Sequence, residues 1–108
     1  MKLPTEIFGE VVVVHTPEEL TDDNATQFEQ FVTSQDCCKV IVELDSTESI
    51  DSSGLTALVS AQEALRELHG DLKISTTNKT NRKILELTRI DQQLEVFESV
   101  IDAVKSFV

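Results

Sequence analysis

The chain has no tryptophan and no tyrosine, and only two prolines, three glycines and two cysteines among its 108 residues. So little proline and glycine argues against a low-complexity or collagen-like chain. Cys37 and Cys38 are neighbours. That spacing rarely satisfies disulfide geometry, and no third thiol offers an alternative partner, so a disulfide framework is excluded. Both stand at the expected start of a strand, where free cysteine behaves as a small hydrophobe. Histidine is as scarce. His15 and His69 lie far apart, neither has a second ligand at helical spacing, and no metal site is expected. Bases are few as well, nine against twenty acids, for a formal charge of -11. Such a surface repels a phosphate backbone, which excludes nucleic acid, and disfavours an anionic membrane. No apolar run nears the roughly 20 residues of a membrane span, so no membrane insertion is expected. The segment from Met1 to Glu6 is too polar for a signal peptide, and a cytoplasmic address is expected.

What remains is enough for one domain over residues 1–108, since hydrophobic residues make up 40% and can build one modest core. Charge is unevenly spread. Residues 1–51 hold twelve acids against two bases, and residues 52–108 hold eight against seven. The acidic half is either a solvated surface that aids solubility or a docking face for a basic partner protein.

In chain order, Ile7 to Val14 is rich in β-branched residues and reads as strand, with Gly9-Glu10 as a turn inside it. Val11 to Val14 does not alternate, so both faces are expected to be covered. Thr21, Asp22, Asp23 and Asn24 offer caps for a helix marked by Ala25, Phe28, Phe31 and Val32. Lys39 to Leu44 is a nearly continuous apolar strand. Leu55, Leu58, Val59, Ala61, Ala64, Leu65 and Leu68 define one face of a long helix beginning at Leu55. His69 sits at its C-terminus, where a histidine can interact with the helix dipole, and Gly70 ends it. Leu72 to Thr76 is a further strand. Ile84 to Thr88 is a short helix, and Leu94 to Phe97 a last strand. Ser99 and Asp102 resemble a capping box before a C-terminal helix. The order β-β-α-β-α-β-α-β-α predicts an α/β fold, a mainly parallel sheet of about five strands with about four helices packed on it.

The stretch with chemical content is Ile50-Asp51-Ser52-Ser53-Gly54-Leu55. Two adjacent hydroxyls stand where a strand-to-loop segment hands over to a helix N-terminus, which presents unpaired N–H groups and partial positive charge. A phosphate is stabilised at such a place. The same residues also serve as ordinary helix caps. In parallel sheets, sites form in the loops beyond strand C-termini. Residues 45–54 form one such loop and residues 18–24 another, which brings Glu18, Glu19, Asp22 and Asp23 towards Ser52.

With these elements in this order, the chain resembles the STAS family, the domain of anti-sigma-factor antagonists that also occurs in sulfate transporters and stressosome proteins. The resemblance covers nearly the whole chain. It is carried by Val40-Ile41-Val42-Glu43-Leu44, by Ile50 to Leu55 and the helix through Leu68, and by Ile84 to Asp91 followed by Leu94 to Phe97. No His or Lys is placed in sequence to act as a base for Ser52, so an enzyme is not expected, and no cofactor is expected. The resemblance implies that Ser52, directly after the motif aspartate, is phosphorylated by a partner that is both anti-sigma factor and serine kinase. The unphosphorylated form then binds that partner, phosphorylation abolishes binding, and a serine phosphatase restores it. Asp51, Ser53, Gly54, Leu55, Thr21, Asp22, Asp23 and Asn24 are the expected partner-binding residues. Gly54 is expected to let the partner backbone approach closely, and Ser53 to cap the helix. One departure stands out: where many members carry Gly-Glu-Leu-Asp, this chain has Glu18-Glu19-Leu20-Thr21, with Asp22 or Asp23 as the substitute acid. A stressosome or transporter-associated subunit acting as a scaffold is the alternative. Asp-Ser-Ser is also similar to the Asp-Ser-Leu of acyl-carrier-like proteins, but those are all-helical and the valine-rich strands argue against them.

Overall fold

The computed structural model describes residues 1–108. The strands are β1 (Thr5–Phe8), β2 (Val11–His15), β3 (Glu19–Leu20), β4 (Lys39–Glu43), β5 (Ser49–Ile50), β6 (Asp71–Ser75) and β7 (Val96–Phe97). The helices are α1 (Ala25–Thr33), α2 (Ser52–Glu67), α3 (Lys79–Leu87) and α4 (Val100–Lys105), with a 3-10 turn at Ile90–Gln92. Five strands form the main sheet in the order β1-β2-β4-β6-β7. Only β1 runs antiparallel, joined to β2 through the Gly9-Glu10 turn. Gly9 has φ +63, as the first position of a tight II′ hairpin requires. The mainly parallel sheet with four helices is the architecture expected from the strand–helix alternation.

The absence of alternation in β2 and β4 has a clear cause. Val12, Val14, Val40 and Val42 pack under α1, α2 and α3 with Phe28, Val32, Leu58, Leu65 and Leu85. Val11, Val13 and Ile41 face the other way, against Ala103 of α4 and the partly buried Phe97, Val100, Val104 and Phe107. Both faces of these strands are therefore core, which selects β-branched side chains at every position.

Three elements differ from the sequence expectation. α2 begins at Ser52, not Leu55, because Asp51 supplies the cap and the next three residues are already helical. The chain also makes a second, two-stranded parallel sheet of β3 and β5, pairing Glu19 with Ser49 and Leu20 with Ile50. At the other end of α2 the left-handed residue is His69 (φ 65), not Gly70. The N–H of Gly70 donates to Leu65 O at 2.9 Å and that of His69 to Arg66 O at 3.0 Å, the bond pair of a Schellman ending. Gly70 is needed for space instead: a Cβ there would lie 2.0 Å from the Cys38 carbonyl oxygen.

Candidate functional site

The site is assembled by the small sheet. Pairing of β3 with β5 lays the connection after β2 beside the connection after β4, and the Asp51 N–H donates to Leu20 O at 3.2 Å. The Asp51 carboxylate then spans both segments. Oδ1 accepts the Gly54 N–H and Oδ2 accepts the Asp22 N–H, each at 3.0 Å. These bonds, led by that from Gly54, hold the Asp51 carboxyl below the usual aspartate range despite partial desolvation. Ser53 is not the cap. Its hydroxyl donates to Asp22 Oδ1 at 3.3 Å and so ties α2 to the neighbouring segment.

Ser52 is exposed. It is the first residue of α2, its carbonyl accepts the Thr56 hydroxyl at 2.9 Å, and its own hydroxyl has no partner within the chain. It opens onto a groove of about 280 Å³ between the starts of α1 and α2, lined by Asp22, Thr26, Glu29, Ser53 and Thr56 over Ala25 and Ala57. A second depression on the other flank is more apolar, with Leu55, Val59 and Ile90 beside Ser52. Ser52 therefore stands on a ridge between an acidic groove and an apolar one.

Gly54 is buried, and a Cβ there would lie 2.3 Å from the Leu20 carbonyl oxygen. The close backbone approach it permits is thus internal, between α2 and β3, rather than one made by a partner. Asn24 is likewise committed internally. Its side chain accepts the Thr21 N–H at 3.0 Å and donates to Glu19 O at 2.7 Å, shaping the turn before α1 without capping that helix. Thr21 is half-buried and Asp23 exposed. Of the acids expected near Ser52, Asp22 reaches the groove; Glu18, Glu19 and Asp23 do not line it. Glu29, Thr26 and Thr56 were not foreseen. The signal was present, since Asp22, Thr26 and Glu29 recur at helical spacing along one face.

A polar network, buried at Asn81, Thr47 and Thr16 and exposed at Asp45 and Thr77, ties down the segment that leads to Ser52. Asn81 of α3 donates both amide hydrogens, to Leu44 O at 3.0 Å and Thr47 O at 2.9 Å. The Thr47 hydroxyl meets the Thr16 hydroxyl and donates to Pro17 O at 2.6 Å. Asp45 accepts the Thr77 N–H at 2.7 Å and the hydroxyls of Thr76 and Thr77, each at 3.0 Å.

The chain is thus an α/β fold in which a mini-sheet sets an exposed hydroxyl at a capped helix start. The chain belongs to the STAS domain family, whose model matches residues 2–103. A Thermotoga neapolitana protein named as an anti-sigma factor antagonist is 24% identical over 106 residues, 94% of each chain. A crystal structure of a Thermotoga maritima protein so named superposes with a TM-score of 0.84 at 24% identity, covering 96% of this chain and 92% of that one. The phosphorylated form of the Bacillus cell fate determinant SpoIIAA superposes with a TM-score of 0.71 at 16% identity, covering 99% and 100%. At these identities the likeness to the solved structures is one of fold.

Proposed function

We propose that this chain is an anti-sigma-factor antagonist whose binding is switched by phosphorylation of Ser52. It acts by docking rather than as an enzyme. In the unphosphorylated state it sequesters an anti-sigma factor that is also a serine kinase; a serine phosphatase resets it. The observation that carries this reading is the exposed, unpartnered Ser52 hydroxyl at the start of α2, beside an Asp51 carboxylate already engaged by backbone N–H groups. The existence of a phosphorylated form of another protein of this fold supports it.

The chemistry follows from the surroundings. A phosphate adds about -1.5 to -2 charges at neutral pH. The α2 N-terminus stabilises that charge within the chain, while Asp22 and Glu29 across the groove oppose it. A partner shaped around a neutral hydroxyl then meets charge, bulk and a desolvation cost, and lets go. Asp22, Thr21, Asp51, Ser53 and Leu55 frame the docking face; Asp23 and Asn24 shape its edge.

Incubation with the cognate kinase and ATP, followed by mass spectrometry, tests the assignment. Phosphate is expected on Ser52 alone, with Ser52→Ala unmodified and still able to capture the kinase, and Ser52→Asp unable to. Full modification of Ser52→Ala would sink the proposal.

A further inference from the structure

On the α4 side of the sheet, at the C-terminal ends of β2 and β4 and beside the start of β1, three side chains from three strands meet. His15 Nδ1 lies 2.7 Å from Glu43 Oε2, and His15 Nε2 is in hydrogen-bonding contact with Glu6 Oε1. Both partners are carboxylates, which only accept. Each ring nitrogen must therefore donate, and a histidine donates from both nitrogens only as imidazolium. The Glu43 side chain is 10% exposed and that of Glu6 55%. Glu43 is thus the buried acid that needs a cation, and Glu6 the outer acid that holds the ring from the edge strand.

The remaining neighbours tighten the arrangement without neutralising it. The Asp45 N–H donates to the other Glu43 oxygen. The Glu43 carbonyl accepts both the N–H and the hydroxyl of Thr16, each at 3.1 Å. Ser75 of β6 lies opposite Glu43 in the register, buried, its hydroxyl without a partner. The cation on that strand, Lys73, is held by Ser106 at 2.8 Å, lies 4.3 Å from the centre of the Phe107 ring, and is 3.9 Å from Glu95. His15 is therefore the positive group that answers Glu43.

We propose that protonated His15 is a bolt that fastens the edge strand β1 through β2 to β4, and that loss of its proton frees Glu6 and loosens β1. A neutral ring keeps one N–H, which the buried Glu43 retains; the other nitrogen then faces Glu6 lone pair to lone pair. Burial alone would lower the histidine's affinity for its proton, but the hydrogen bonds and charges of Glu43 and Glu6 outweigh it, and the pKa is raised above the ordinary 6.5. The fastening is complete below that ordinary value and is lost as pH rises through the raised one.

The test needs no partner, so its outcome is independent of the role proposed for Ser52. Ring resonances of His15 are titrated by NMR in the native chain and in Glu6→Gln, while amide exchange of residues 5–8 is followed across the same range after correction for intrinsic rates. The native His15 is expected to titrate above 6.5, and the β1 amides to lose about tenfold protection as it does, the effect of roughly one partly exposed charge-assisted hydrogen bond. Glu6→Gln, altered at an exposed side chain and so still folded, is expected to lower the midpoint and flatten the exchange profile, with β6 amides unaffected. Titration of native His15 at or below the ordinary value, an unchanged midpoint in Glu6→Gln, or pH-independent β1 protection would each overturn the proposal.

Discussion

Two aspartates stand at the same end of the sheet, each among hydroxyls, and the chain uses them in opposite ways. Asp45 accepts the hydroxyls of Thr76 and Thr77 as well as a backbone N–H, so those hydroxyls are consumed in closing the junction between β4, β6 and α3. Asp51 accepts backbone N–H groups from Gly54 and Asp22, and the hydroxyl beside it on Ser52 is left free. What makes a hydroxyl available for chemistry is therefore not its proximity to a carboxylate. It is whether the carboxylate is already satisfied by the backbone. The first arrangement closes a junction, and the second leaves an exposed hydroxyl without a partner beside it.

That contrast can be broken from either side. The largest effect is expected from Gly54→Ala. Its methyl would meet the backbone oxygen of Leu20 at 2.3 Å, which neither α2 nor β3 can relieve without parting. A loss of about 3 kcal/mol is expected in urea denaturation. Asn81→Ala removes two buried hydrogen bonds and leaves the carbonyls of Leu44 and Thr47 unanswered, at about 2 kcal/mol by the same measurement. It should also slow the phosphorylation proposed for Ser52, because the segment that positions it is no longer fixed. Asp51→Ala removes the α2 cap and the bridge to Asp22; the denaturation midpoint should fall by less than for Asn81→Ala, with partial restoration by Asp51→Asn, which keeps the capping oxygen but has no second acceptor for the Asp22 N–H. Ser52→Ala, by contrast, should leave stability within about 0.5 kcal/mol of the native chain, as exposed substitutions do, while abolishing modification. A large destabilisation by Ser52→Ala would show that the hydroxyl is structural, and the distinction between the two aspartates would fail.

Acid titration sharpens the same comparison. Both carboxyls are held below the ordinary value of 3.8. At Asp45, desolvation would raise the pKa, and the bonds from Thr77 and Thr76 overcome it; at Asp51 the Gly54 N–H leads. A depressed folded value stabilises the fold above the ordinary value, and that support is lost as pH falls below it and through the folded one. Stability measured between about pH 5 and pH 2 should therefore decline less steeply in Asp45→Asn than in the native chain.

Much of this protein was legible along the chain. Val11 to Val14 and Val40 to Leu44 announced strands buried on both faces, because apolar side chains filled both parities of the repeat. The handover from Ile50 through Asp51 to the α2 pattern placed the hydroxyls at a helix start, where the structure has them. The β3–β5 sheet left no such trace, since two residues per strand are too few for any period to show. His69 looked like a dipole partner and Gly70 like the residue that ends the helix; the backbone puts His69 in the left-handed position, and the proximity of Cys38 reserves Gly70 for space. Glu29 stood in view on a helical stripe but acquired meaning only once α1 lay beside α2.

Local order alone decided where the main-sheet strands and the helices fall and that two serines stand at the start of α2, because periodicity and capping act between residues a few positions apart. Which acid reaches the serine, which glycine is obligatory and which histidine meets two carboxylates were decided only by folding. Those outcomes depend on pairs such as Gly54 with Leu20 and His15 with Glu43, whose members are distant in sequence and meet only when the sheet forms.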